Sequence, residues 1–138
     1  MRHKIKKIYY CFIKTIALYH FKVEVKAELT RENMDIFDKL TIALYSSFII
    51  SHFIYSIIIL FSFIIKYDIL NFMYARYSYH WTVLIFLSIK FFNYNFIIKT
   101  YKFFNCHKRP NPNLYLVYLF GSGILSLCCL FLSKKFFS

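Results

Sequence analysis

Residues 40–65 read LTIALYSSFIISHFIYSIIILFSFII, bracketed by Lys39 and Lys66. These 26 residues contain no Asp, Glu, Lys or Arg. A helix of that length, at about 1.5 Å per residue, exceeds a hydrocarbon core of roughly 30 Å. The run therefore predicts a transmembrane helix that tilts or projects at one end. Ser47, Ser51 and Ser62, with Ile58 between them, recur at helical spacing and are expected to face another helix.

Two further spans follow. Tyr77 to Ile98 opens with Tyr77, Tyr79, His80 and Trp81, the composition of an interfacial aromatic belt, before continuing in Phe, Leu and Ile. Lys90, Asn93 and Asn95 interrupt it. The connection from Lys99 to Asn113 is basic, and Pro110 and Pro112 mark a turn. Leu114 to Ser133 is the third span, ended by Lys134 and Lys135. Within it Ser122, Ser126, Cys129 and Ser133 form a stripe of small side chains beside Gly121 and Gly123, as expected of a helix-packing face.

Upstream, Ile5 to Val23 sets Ile5, Ile8, Tyr9, Phe12, Ile13, Ile16, Tyr19, His20 and Val23 on one helical face, opposite Lys6, Lys7, Lys14 and Lys22. The pattern predicts an amphipathic basic helix lying in the membrane interface. A mitochondrial targeting peptide shows the same pattern; since the chain starts at Met1, a retained surface helix is the expectation taken. Five of the six acidic residues, Glu24, Glu28, Glu32, Asp35 and Asp38, then fall in one solvated stretch. The expected fold is an all-α membrane protein. Residues 1–39 form an amphipathic and charged region, and residues 40–138 form a three-helix domain with spans at about 40–65, 77–98 and 114–133.

Composition agrees with lipid as solvent: 59% of the 138 residues are hydrophobic, too many for a core this small to bury. Ile, Phe, Tyr, Lys, Asn and Met account for 75 residues and Gly, Ala, Arg and Pro for 12. The favoured residues have adenine- and thymine-rich codons, a bias of organellar genomes shared by some viruses and endosymbionts. A formal charge of +12 would suggest nucleic acid in a soluble protein, but here the basic residues flank apolar runs and no nucleic-acid motif occurs, so no nucleic-acid partner is expected. Cys11, Cys106, Cys128 and Cys129 have no zinc or CxxC spacing.

Thirteen Lys and Arg lie in the amino-terminal region and the second loop, against four on the other side of the spans. The positive-inside rule then puts the amino terminus inside. For a mitochondrial inner membrane that is the matrix, with the carboxyl terminus in the intermembrane space.

Two residues invite chemistry. Lys90 stands near the middle of the second span, where a charge costs a few kcal/mol unless it is paired, hydrated or able to snorkel. No acidic residue occurs in any span, so its partner is expected on another subunit, with Asn93 as a second intramembrane polar contact. His52 is central in the first span and is a candidate haem ligand; His80, at the edge of the second, differs in depth. The chain has no CxxCH, GxGxxG, P-loop or HExxH motif, so no catalytic residue, metal or cofactor is assigned. Bound phospholipid is expected between the helices.

Arg109-Pro110-Asn111-Pro112, with Leu114 and Tyr118 following, resembles the Arg-Pro-x-Ser-Pro entry sequence of the cytochrome b anchor of succinate dehydrogenase. It stands before the last helix instead of the first, and the His-Arg-x-Thr-Gly continuation is missing, so no role carries across. The acidic helix positions of the small proton-pumping subunits of complex I are absent too, as is the cysteine-bearing loop of its three-helix subunit.

The expected function is that of a non-catalytic integral membrane subunit of a multi-subunit organellar energy-transducing complex, a respiratory-chain complex or ATP synthase, with a packing and assembly role. The alternatives are a haem b or quinone-binding anchor of the succinate dehydrogenase kind and an independent channel or viral membrane protein.

Overall fold

The computed structural model describes residues 1–20, 36–72, 80–100 and 111–138. Four long helices account for most of them: α1 (Arg2–His20), α2 (Ile36–Ile65), α3 (His80–Thr100) and α4 (Leu114–Phe137). No strand occurs among the described residues. Among the described residues three helices, α2, α3 and α4, are long and apolar enough to cross a membrane.

The helix ends differ from those read off the charges. α2 starts at Ile36, so Asp38 and Lys39 lie in its first turn, and α4 runs past Lys134 and Lys135 to Phe137. A flanking lysine marks where lipid ends, and nothing stops a helix from continuing into water. The positions 77–79 expected to open the second span lie outside the described residues, as do 21–23 of the expected amphipathic helix.

The end of α2 is a backbone event. Lys66 has a positive φ of 54°, and the Tyr67 N–H donates back to the Ser62 carbonyl at 3.2 Å, the six-to-one bond of a Schellman motif. The reversed chain is then capped by Asp68, whose Oδ1 accepts the Asn71 N–H at 3.0 Å, and Leu70 turns in to bury against Ile59 and Cys129. Entry to α4 uses Asn111-Pro112-Asn113. Asn111 Oδ1 accepts the Asn113 N–H at 3.0 Å, and the carbonyls of Asn111, Pro112 and Asn113 accept the N–H groups of Leu114, Tyr115 and Leu116. Asn113 itself makes no side-chain cap.

α2 is the central element. Phe63 packs on Phe136 and Phe137 at one end, and Tyr45 on Tyr115 at the other, so α2 and α4 run parallel. Asn93, late in α3, meets Ser46 and Ser47, early in α2, so α3 is antiparallel. Both α3 and α4 pack on α2 and have little contact with each other. At about 45 Å α2 is longer than its neighbours, and its first nine residues extend past the start of α4 at the α1 end.

α1 is not one of the three spans. Between Tyr9, against Asn93, and His20, against Tyr45, it advances about 16 Å. Over that length its contacts move by about one turn or less along α2 and α4, from Tyr118 beside Phe12 to Tyr115 beside Tyr19. The helix therefore crosses the bundle at a steep angle. Its expected apolar face divides in two. Ile13 and Ile16 are fully buried, whereas Ile5 and Ile8 are 58% and 70% exposed. From Tyr9 onward α1 is a packed part of the bundle.

Candidate functional site

Two buried clusters hold the bundle. One joins Ile13, Ile16 and Ala17 of α1 to Ile42, Ala43 and Ile49 of α2, Ile97 of α3 and Tyr115 of α4. The other, at the opposite end, joins Ile59, Leu70 and Cys129. Beyond them, large apolar side chains such as Ile57, Ile64, Phe120, Ile124 and Phe131 are exposed, as suits helices whose solvent is lipid.

The first cluster contains a polar network. Asn93 is fully buried and its Nδ2 donates to Ser46 Oγ at 3.1 Å and to Ser47 Oγ at 2.9 Å. Its Oδ1 accepts the phenol hydrogen of Tyr9. Ser46 and Ser47 in turn donate to the Ala43 carbonyl. A buried amide left unpaired costs roughly 1–3 kcal/mol, so this arrangement fixes α1, α2 and α3 in one register. Burial pushes the Tyr9 phenol well above its usual range, which keeps it neutral as a donor.

The stripe expected on the last span maps onto a packing face. Ser122, Ser126, Cys129 and Ser133 are all buried, with Tyr115, on the side of α4 that meets α2. Ser122 and Ser126 direct their hydroxyls to the carbonyls of Leu119 and Gly123 on their own helix, so the stripe works by small size and makes no hydrogen bond across helices there. Gly121 and Gly123 take no part in close approach, because a Cβ at either would meet nothing within 4 Å. On α2 the packing face is Ser46, Ser47, Ser56, Ile59 and Ser62; Ser46 and Ser56 thus join the expected Ser47 and Ser62, while Ser51 and Ile58 line a groove instead.

That groove lies between α3 and α4, with α2 as its floor, in the level between the two buried clusters. It has a volume of about 460 Å³ and is mainly apolar, lined by Phe48, His52, Tyr55 and Ile58 of α2, Val83 and Phe86 of α3, and Ser126, Leu127 and Leu130 of α4, among others. It exists because the Asn93 network draws α3 onto α2 at one end and the Ser122–Ser133 stripe draws α4 onto another side of α2, leaving the space between them open.

His52 is half-buried in this groove. Its Nδ1 lies 2.7 Å from the Phe48 carbonyl, and its ring packs on Phe48 at 4.3 Å between centroids. An Nδ1–H donated to that carbonyl leaves Nε2 as the acceptor, the tautomer a metal-binding imidazole uses. His80, at the start of α3, is exposed and does not line the groove. Among the described residues no three His, Cys, Asp or Glu side chains stand close enough to hold a metal ion.

Lys90 sits half-buried in the middle of α3. Asn93 opposite Ser46 and Ser47 puts Lys90 opposite about residue 50 of α2, one turn along the same face of α3 from the groove residue Phe86. Among the described residues Lys90 forms neither an ion pair nor a hydrogen bond. Cys11, Cys128 and Cys129 form no disulfide with one another; Cys106 lies outside the described residues.

Helices of this length and apolarity, with large exposed apolar side chains, mark an α-helical membrane protein. No family model, no curated protein sequence and no solved structure matches the chain.

Proposed function

We propose that this chain is a non-catalytic membrane subunit of a larger energy-transducing assembly, most consistent with a respiratory-chain complex or ATP synthase in a mitochondrial inner membrane. The observation that carries this reading is Lys90: a cation about 12 Å from either end of its span, with no acidic side chain in the apolar part of any of the three spans, the nearest to one being Asp38 in the first turn of α2. A four-carbon stem covers only part of that distance, so snorkelling alone leaves the charge in hydrocarbon. A neighbouring subunit supplies what the chain lacks. The codon-biased composition supports an organellar setting.

The orientation follows the charge. α1, Lys39 and Lys99 gather at one end of the bundle, and Lys66, Lys134 and Lys135 at the other. With the more basic end inside, the amino terminus faces the matrix and the carboxyl terminus the intermembrane space. The exposed first turns of α1, with Arg2, Lys4, Lys6 and Lys7, then lie along the inner leaflet among lipid phosphates.

Blue-native electrophoresis after mild extraction, with mass spectrometry of the band, tests the proposal. The expected result is migration with other membrane subunits, far above the 16.8 kDa of one chain. Migration as a single chain contradicts it, and a particle built only of this chain favours a channel.

One observation favours a second reading. His52 lines the groove and its ring is oriented by the Phe48 carbonyl, which supports a role as an axial haem ligand or quinone contact. A Soret band that His52→Ala abolishes supports this anchor role. Absence of the band, or one that His52→Ala leaves unchanged, removes the haem version.

A further inference from the structure

The groove and Lys90 together point to a particular occupant. Resting on the subunit reading above, we propose that the groove between α3 and α4 seats a transmembrane helix of a different polypeptide, and that this helix presents an Asp or Glu carboxylate to Lys90. The groove is apolar along Ile58, Val83, Phe86 and Leu130, which suits a helix surface packed in lipid. Lys90 stands one helical turn beyond the lining residue Phe86, toward the end pinned by Asn93.

Charge decides between occupants. An acyl chain fills apolar space but brings no negative charge to this depth, and a lipid phosphate stays at the interface, about 12 Å away along α3. A second copy of this chain brings none either: its six acidic residues are Glu24, Glu28, Glu32, Asp35, Asp38 and Asp68, all outside the apolar parts of the spans. A foreign helix with one carboxylate at mid-depth both fills the groove and neutralises the ammonium group. Such a pair also fixes rotation and register of the incoming helix, which apolar packing alone specifies weakly.

The test places a photoreactive amino acid at Phe86 in the full-length chain within its native membrane and maps adducts by mass spectrometry, with Lys90→Met and Lys90→Arg made in the same background. The expected adduct is a transmembrane segment of another protein with an Asp or Glu within about one turn of the cross-link. Lys90→Met should reduce it about tenfold, while Lys90→Arg retains it and charge exchange, Lys90→Glu with the partner acid changed to Lys, restores it. Lys90→Met removes a charge from an apolar setting and so should not unfold the chain; the far-ultraviolet circular dichroism of the purified variant checks this. Adducts only with lipid, with a second copy of this chain or with a helix lacking a carboxylate at that depth overturn the proposal, as does the lack of any adduct. In those cases co-migration with a large complex on a native gel leaves the subunit reading standing, whereas its loss removes both.

Discussion

Tyr9 and Asn93, 84 residues apart, share a hydrogen bond inside the bundle, and through it a helix outside the membrane spans is fastened to two inside them. Asn93 uses both ends of its amide, giving hydrogen to Ser46 and Ser47 and accepting from Tyr9. Tyr9→Phe leaves Oδ1 of Asn93 unpaired in a buried site and should destabilise the protein by about 1 kcal/mol. Asn93→Ala orphans the phenol as well and leaves a cavity, at a cost of about 2–3 kcal/mol. In the double variant the two effects should fall short of their sum, a coupling that thermal unfolding of the four proteins in one detergent measures.

The far end of α1 responds to pH. His20 stacks on Tyr45 and meets Tyr19 and Tyr115 edge-on, and its Nε2 is buried without a hydrogen-bond partner among the described residues. Burial lowers its proton affinity below the ordinary value of 6.5. A folded state that binds protons less readily than the unfolded one loses stability as pH falls. α1 docking should therefore be constant above about pH 6.5, weaken on acidification and level off once the folded imidazole is itself protonated. Protease accessibility of α1 between pH 8 and pH 5 checks this, and His20→Phe should flatten the profile.

Lys66 occupies a left-handed position that a side chain adopts at a cost of about 1–2 kcal/mol. Lys66→Gly keeps the Tyr67-to-Ser62 bond and relieves that cost, so it should raise stability by up to about 1 kcal/mol. A lower melting temperature for this variant would show that the turn after α2 is not as described.

The vicinal cysteines offer an internal control. Cys128 is exposed, and Cys129 is buried against Ile59 and Leu70. Cys129→Phe should cost about 1–3 kcal/mol by overpacking, while Cys128→Phe should be nearly silent. Equal effects would mean that α4 does not present the Ser122–Ser133 face to α2.

What the sequence shows and hides can be seen in these same residues. The spans are legible because lipid demands long uncharged runs, and residues 40–65 satisfy that demand without reference to any other part of the chain. The small stripe of α4 is legible for a similar reason, since its four- and three-residue spacing puts all its members on one face. The role of α1 is not. An apolar face opposite lysines describes equally a helix on lipid and a helix on protein, and only the burial of Ile13 and Ile16 against the exposure of Ile5 and Ile8 separates the two along its length. Asn93 draws notice as a polar residue in an apolar run, but its partners Tyr9 and Ser46 lie far away in sequence, and no periodicity encodes them. The groove around His52 is still less visible. It is the space left when α3 and α4 pack on different sides of α2, and that choice resides in tertiary packing.

Lys90 is legible as a charge in a chain whose apolar runs at 40–65, 77–98 and 114–133 hold no acidic residue, and the proposed function turns on it. The most direct measurement is an experimental density map of the particle extracted from its native membrane, read at the Lys90 Nζ. The expected result, if Lys90 pairs with a neighbouring subunit, is a carboxylate oxygen from another polypeptide within about 4 Å of that atom. An ammonium group bathed in water or resting among phosphates, with lipid alone around α2, α3 and α4, would contradict it.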